Sequence, residues 1–411
     1  LDITDRARPQ LLWILDPNNL SDVGESWSTP AIARVRVAGA AQNGEKLVLI
    51  FGGGYDGGQE NYSYRTDTMG NGIYMVDAAS GALLWYAGGP GGTGAADLDL
   101  PNMTHSIPSR IVTLDNDGDG FADRLYAADL GGRVWRFDIF NGQGRGSLVT
   151  GGVFASLGGA VNPSPASTRR FYYAPDVALI QRRGAEPYYN LAIGSGYRGH
   201  PLDASAQDRF YSLRDKNPFG KLSQSQYDSA TPLGEGDLID ITNDPAGAVV
   251  PTTANGWRLE LRLNGGWSGE KVLAESLTVG GIVLFPTYQP QAPSTLDPCS
   301  PANGLNRVYA LSVDTGKPAI DFNDVDADSV PNNADLFTNL AQRGIAGEIS
   351  FAFDAIPQDT DPLNDLDQSD NSRRTDALGR RALCAVGLEV LDRCVLPGSV
   401  MRTFWQRTAP P

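Results

Sequence analysis

The chain has 411 residues, 41% of them hydrophobic, which is enough apolar material for a large core. A net charge of −15 disfavours nucleic acid, whose phosphates require a basic surface, and leaves no polybasic patch for a membrane. With 48 Gly, 27 Pro, only four Met and many short apolar runs between turn residues, the composition points to one large all-β architecture.

The chain starts at Leu1 with no signal-like segment, and no apolar run approaches the roughly 18 residues needed to span a bilayer. It is therefore expected to be a processed or excised piece of a larger protein. An early apolar run, LLWILD (11–16), is a predicted strand that could complete the last unit of a closed ring. After it a loose unit recurs. An apolar strand is followed by a second strand ending in Gly-rich sequence, then by an aromatic strand, a turn and a last strand. The first copy is KLVLIFGGGY (46–55) with GIYMVDAASGALLWYA (72–87). In its Asp77–Trp85 hairpin, Gly81 is predicted at positive φ in a tight turn. The second copy is SRIVTL (109–114) with DRLYAADLGGRVWRFD (123–138). The third is PDVALI (175–180), YYNLAIGSGYRG (188–199) and DRFYSLRD (208–215). The fourth is ESLTVGGIVLFPTY (275–288) with NRVYALSVDTGKP (306–318). A single short helix is predicted over DLFTNLAQRGI (335–345).

Repeated four-stranded units of this length predict a modified β-propeller, about seven-bladed from length, with loop insertions, forming one domain over 1–411. The stretch 320–400 is acidic and loop-rich. A β-sandwich is the runner-up, which the recurrent hairpin disfavours. Trp85, Trp135, Tyr74, Tyr126, Tyr211 and Tyr309 recur at equivalent hairpin places, as packing between blades requires.

The second copy carries the sharpest chemical signal. Asp115, Asp117 and Asp119 alternate, Gly120 stands where a calcium loop turns, and Asp123 completes the pattern. In such a loop positions 1, 3, 5 and 9 supply side-chain oxygens and position 7 a carbonyl, here that of Phe121. Four crowded carboxylates repel one another unless a cation neutralises them, and oxygen-only ligands select calcium. The bidentate Glu that closes an EF-hand is missing, since Tyr126 stands at position 12, and the flanks are β-forming. The loop is thus expected to join two strands, against the plainer reading of a solvated acidic turn.

Other features weigh less. DVDADSVPNNAD (324–335) puts Asp324, Asp326 and Asp328 at loop positions 1, 3 and 5, with Asn332 at 9 and Asp335 at 12. Ser329 replaces the turn Gly and Pro331 stiffens the middle, so a solvated loop is the favoured reading. GGPGGTG (88–94) has dinucleotide-type glycines but no helix to hold a pyrophosphate. His105 and His200 are expected to be structural. No nucleophile elbow, zinc-binding helix or P-loop is visible, so an enzyme is not expected. Of three cysteines, Cys384 and Cys394 are the closest pair and the favoured disulfide, with Cys299 left over.

The hairpin phrase resembles the repeat of quinoprotein dehydrogenases and their relatives. Longer strings are similar to something narrower. WSTPAIARV (27–35), LIFGGGYD (49–56), GIYMVDAASG (72–81), the aspartate loop running into YAADLGGRVWRFD, and IGSGYRGHPLD (193–203) resemble the C-terminal propeller of the PilY/PilC family. The match spans roughly 8–320 and extends faintly to RTFWQR (402–407). Members are large secreted proteins of type IV pilus tips and fimbrial biogenesis. The resemblance implies a calcium loop built here by Asp115, Asp117, Asp119, Phe121 and Asp123 that tunes pilus extension against retraction. It also implies twitching motility, surface adhesion to host or abiotic targets, minor pilins as partners, and a cell-surface location at the pilus tip. The rival is a dehydrogenase using pyrroloquinoline quinone and calcium. That reading needs a central cofactor site and usually a vicinal cysteine pair, and the sequence has no Cys-Cys. A metal-free scaffold propeller for envelope assembly is the third reading.

Overall fold

Five sheets follow one another along the chain, and with few exceptions each strand pairs with its sequence neighbour. They are seen in a computed structural model. It describes residue 2 and residues 4–16, 19–20, 22–40, 42–61, 64–89, 96–159, 164–263, 265–291, 303–322, 330–353 and 382–391. The first sheet holds β1 (Ala31–Arg36), β2 (Glu45–Gly52), β3 (Gly72–Asp77), β4 (Leu83–Gly88) and β5 (Leu98–Asp99). The second holds β6 (Val112–Leu114), β7 (Arg124–Ala128), β8 (Arg133–Ile139) and β9 (Val149–Ser156). In the third, β10 (Asp176–Ile180), β11 (Tyr188–Gly194) and β12 (Arg209–Asp215) are followed by β13 (Ile239–Asp240) and β14 (Gly256–Glu260). Here β14 lies between β12 and β13. A small hairpin, β15 (Arg262–Leu263) and β16 (Gly266–Trp267), precedes the fourth sheet. That sheet contains β17 (Leu277–Val279), β18 (Ile282–Gln289), β19 (Leu305–Ser312) and β20 (Phe337–Leu340). The fifth contains β21 (Ile349–Phe353), β22 (Ala382–Val386) and β23 (Glu389–Val390).

Each sheet packs face to face on the next. Trp85 and Met75 of the first sheet share a core with Trp135 and Phe137 of the second. Tyr126 of the second packs with Tyr189 and Tyr211 of the third, Phe210 of the third with Phe285 of the fourth, and Leu284 of the fourth with Val386 of the fifth. Successive sheets joined only through their faces are the arrangement of a β-propeller. The six recurrent aromatics are all buried, five of them in these interfaces, while Tyr74 stacks on Phe51 and Tyr86 of its own sheet in a separate cluster. Trp85 meets Phe137 edge-on at 6.1 Å, and Phe210 stacks on Phe285 at 3.6 Å. Each such ring contributes about 1.5–3 kcal/mol by leaving water. The four expected repeat copies are the first four sheets. Among the described residues five blade-like sheets are present, so the seven blades expected from length are not in evidence.

Two predicted elements are corrected. LLWILD forms no strand: residues 11–16 lie outside any ladder, and Trp13 instead donates its Nε1–H to the Ala78 carbonyl at 3.1 Å. The segment 335–345 is not a helix. Only a single 3-10 turn, Asn333–Asp335, forms, and Phe337–Leu340 pairs with β19 instead. Phe337, at 5.4 Å from the Tyr309 ring, gains more from packing on the sheet than a short exposed helix would return.

The Asp77–Trp85 hairpin turns as predicted, with Gly81 at φ 71°. A Cβ there would also lie 2.7 Å from Cδ2 of Trp13. Gly81→Ala is therefore expected to cost about 1–3 kcal/mol in urea unfolding, combining left-handed strain with loss of the Trp13 contact. An unchanged midpoint would show that this turn tolerates both.

Candidate metal centre

The loop from Asp115 to Asp123 joins β6 to β7, two antiparallel neighbours in the second sheet. Its acidic side chains fold it locally. Asp115 accepts from Gly118 N at 2.7 Å and Gly120 N at 2.8 Å, while Asp119 accepts from Phe121 N at 2.9 Å. Gly118 and Gly120 take φ of 78° and 88°, which lets the backbone amides point inward at the carboxylates. Asp123, at the foot of β7, is buried, and its Oδ2 accepts from Asn116 N at 2.9 Å.

Oxygens of Asp115, Asp117 and Asp123 lie within 4.8 Å of one another. Of the expected ligands, these three are brought together. Asp119 is not among them, and its Oδ2 faces Arg36 Nη1 at 3.7 Å. The Phe121 ring is buried under the Arg36 guanidinium at 3.7 Å, which fixes that side of the loop by a cation–π contact. The donor set is oxygen only and carries several negative charges at close range, the chemistry that suits a hard divalent cation.

Sequence reasoning missed the basic side of this site. Lys221 places Nζ 2.7 Å from Asp123 Oδ1 and 2.8 Å from the Ile139 carbonyl. It comes from the loop after β12, in the third sheet, so the contact spans 98 residues and leaves no local spacing to find. That loop is itself held by a buried charge cluster. Arg124 pairs with Asp138 at 2.9 Å and donates to the carbonyls of Asn217, Pro218 and Gly220. Arg136 bridges Asp138 and Asp215, and the hydroxyls of Tyr126 and Tyr227 complete the carboxylates' shells. Tyr227 is supplied by the one α-helix among the described residues, α1 (Gln224–Ser229).

The remaining candidates are structural or lie elsewhere. His105 is buried, with burial lowering its pKa, and its Nδ1 sits 3.1 Å from Arg133 Nη1. His200 donates through Nε2 to the Glu60 carbonyl at 2.8 Å. Asp324, Asp326 and Asp328, most of 88–94, and 402–407 lie outside the described residues. Of the second acidic run, Asn332 caps the 3-10 turn, and Asp335 is buried and accepts from the Phe322 and Asn332 amides, both at 3.0 Å. Cys384 is disulfide-bonded, while Cys299 and Cys394 lie outside the described residues. No helix among the described residues is long and apolar enough to cross a membrane.

No family model matches the chain. The chain is 27% identical over 359 residues to type IV pilus biogenesis factor PilY1 of Pseudomonas aeruginosa, a match covering 77% of this chain and 28% of the relative. A PilY1 homolog of Xylella fastidiosa is 26% identical over 336 residues, covering 78% and 21%. The chain thus spans under a third of the length of these relatives. The crystal structure of the P. aeruginosa PilY1 C-terminal domain superposes with a TM-score of 0.61 at 21% identity, covering 95% of this chain and 76% of that one. Sequence similarity to PilY1 proteins thus covers three quarters of the chain, and the fold of the P. aeruginosa PilY1 C-terminal domain is shared over nearly all of it.

Proposed function

We propose that this chain is the C-terminal propeller of a non-enzymatic type IV pilus biogenesis protein, and that its 115–123 loop binds calcium. The pilus assignment is supported by relatives named as biogenesis factors. The calcium assignment is carried by one observation, the convergence of Asp115, Asp117 and Asp123 oxygens within 4.8 Å between two paired strands. A bound cation relieves the repulsion among these carboxylates and ties the end of β6 to the start of β7. A partner that contacts only the ordered loop then senses calcium as a population shift. On this reading the domain acts at the cell surface, with minor pilins as partners. Calcium there biases pilus extension against retraction and so affects twitching and adhesion. The whole chain acts as one domain.

Calorimetric titration of the chelator-stripped chain with calcium tests the site. One-site binding is expected, and it should vanish in the Asp117→Ala, Asp123→Ala double variant. Binding that survives the double variant would refute this loop as the site. Absence of binding in the parent chain would reduce the domain to a metal-free scaffold.

A further inference from the structure

At one place all five sheets meet. A cavity of about 260 Å³ is lined by Trp27 and Thr29, Ser109 and Arg110, Tyr172 and Tyr173, Glu275 and Glu348, with Arg198. Apart from Arg198, these residues stand within four positions before the first strand of each sheet, β1, β6, β10, β17 and β21 in turn. Equivalent positions of successive blades converge only at the axis of a propeller. The cavity is therefore the mouth of its central channel.

We propose that this mouth binds a neutral saccharide unit. Its walls carry two guanidinium groups, Arg110 and Arg198, against two carboxylates, Glu275 and Glu348, so no net charge selects an ionic ligand. Arg110 and Glu275 face each other through a forked pair, with Nη2–Oε2 at 2.8 Å and Nε–Oε1 at 3.0 Å. These bonds fix both groups on the wall and leave out Arg110 Nη1, which is the donor offered to a ligand hydroxyl. Trp27 is 52% exposed, with Tyr55 beside its ring at 5.5 Å, and so offers an aromatic surface to the C–H face of a sugar. Tyr173 adds a second ring, flanked by the Arg198 guanidinium at 5.6 Å. On the wall, the Ser109 hydroxyl is buried without a hydrogen-bond partner among the described residues, on a residue 4% exposed, whereas the Tyr172 hydroxyl interacts with that of Tyr55. A hydroxyl of a polyhydroxylated ligand would supply the partner that the Ser109 side chain lacks. An extended peptide fits less well. None of the lining residues belongs to a strand, so the site offers no free edge for β-augmentation.

The inference uses nothing of the aspartate loop and stands or falls apart from it. Saturation-transfer NMR on the 411-residue chain, with the methyl glycosides of glucose, galactose, mannose and N-acetylglucosamine, tests it directly. At least one glycoside should receive saturation. Its affinity should fall at least tenfold in Trp27→Ala, and also in Glu348→Gln, an exposed position whose replacement leaves the fold intact. Thermal unfolding of both variants checks folding, and Glu348→Gln alone decides if Trp27→Ala is unstable. No transfer to any of the four, transfer unchanged in the decisive variant, or binding confined to charged sugars or peptides would overturn the proposal.

Discussion

Arg124→Met is expected to lower the unfolding free energy by about 3–5 kcal/mol, the range for breaking a buried ion pair by removing one partner. Arg124 and Asp138 are both 0% exposed in their side chains, so the carboxylate left behind gains no water in place of Arg124 and keeps only Arg136, Tyr227 and the Leu222 amide. The loss is larger than that of one pair. Arg124 also donates to three carbonyls of the 217–220 segment, and a methionine leaves those acceptors without this donor. Urea unfolding of the variant measures the effect. A second variant, Arg124→Met with Asp138→Leu, separates charge from packing. If the penalty comes from the lost charge pairing of Asp138, the double variant should cost about 1–3 kcal/mol less than the sum of the two single changes. Additive losses would mean that the pair is energetically independent. Arg136 would then be the arginine that holds Asp138, which it contacts at 3.1 Å.

What could be read in the sequence divides along a physical line. The four repeat copies were legible because blade strands have local pairing, and each hairpin carries its own turn chemistry, as Gly81 does at φ 71°. The convergence of Asp115, Asp117 and Asp123 was legible for the same reason, since these residues sit within nine positions and the turn glycines are among them. LLWILD was misread because an apolar run guarantees neither pairing nor burial; here Leu11, Leu12 and Ile14 are exposed, and Trp13 reaches a neighbouring turn through its indole N–H. DLFTNLAQRGI was misread because a short apolar run is ambiguous between helix and strand, and the Tyr309 ring in β19 decided it. Contacts between blades were invisible. Lys221 reaches Asp123 across 98 residues, Arg110 reaches Glu275 across 165, and neither pair follows a spacing rule. The channel mouth was hidden likewise, since its residues are scattered one blade at a time and converge only when the ring is built.

The second large effect concerns Lys221, and it rests on the calcium reading of the loop. Its ammonium sits 2.7 Å from Asp123 Oδ1, on a side chain 6% exposed, and so already supplies that carboxylate with a cation. A divalent ion that takes Asp123 as ligand must share or displace this hydrogen bond, and bonds to charged groups are worth about 1.5–3 kcal/mol. Lys221→Met should therefore act in opposite directions in the two states. Without calcium the buried carboxylate loses its partner, and stability should fall by about 1–3 kcal/mol. With calcium no ammonium competes, and affinity should rise about tenfold, or ~1.4 kcal/mol. Thermal unfolding of parent and variant with chelator and with saturating calcium reads both effects. The variant should unfold earlier in chelator and gain more from calcium, since stabilisation grows as RT ln(1 + [Ca]/Kd). Equal calcium gains in both proteins would show that Lys221 does not contend for the site. Because Lys221 rides on the loop that Arg124 and Arg136 anchor, an ion on Asp123 would loosen one of the ties between the second and third sheets. That gives calcium a physical route from the 115–123 loop to the packing of neighbouring blades, with Lys221 as the contact that changes.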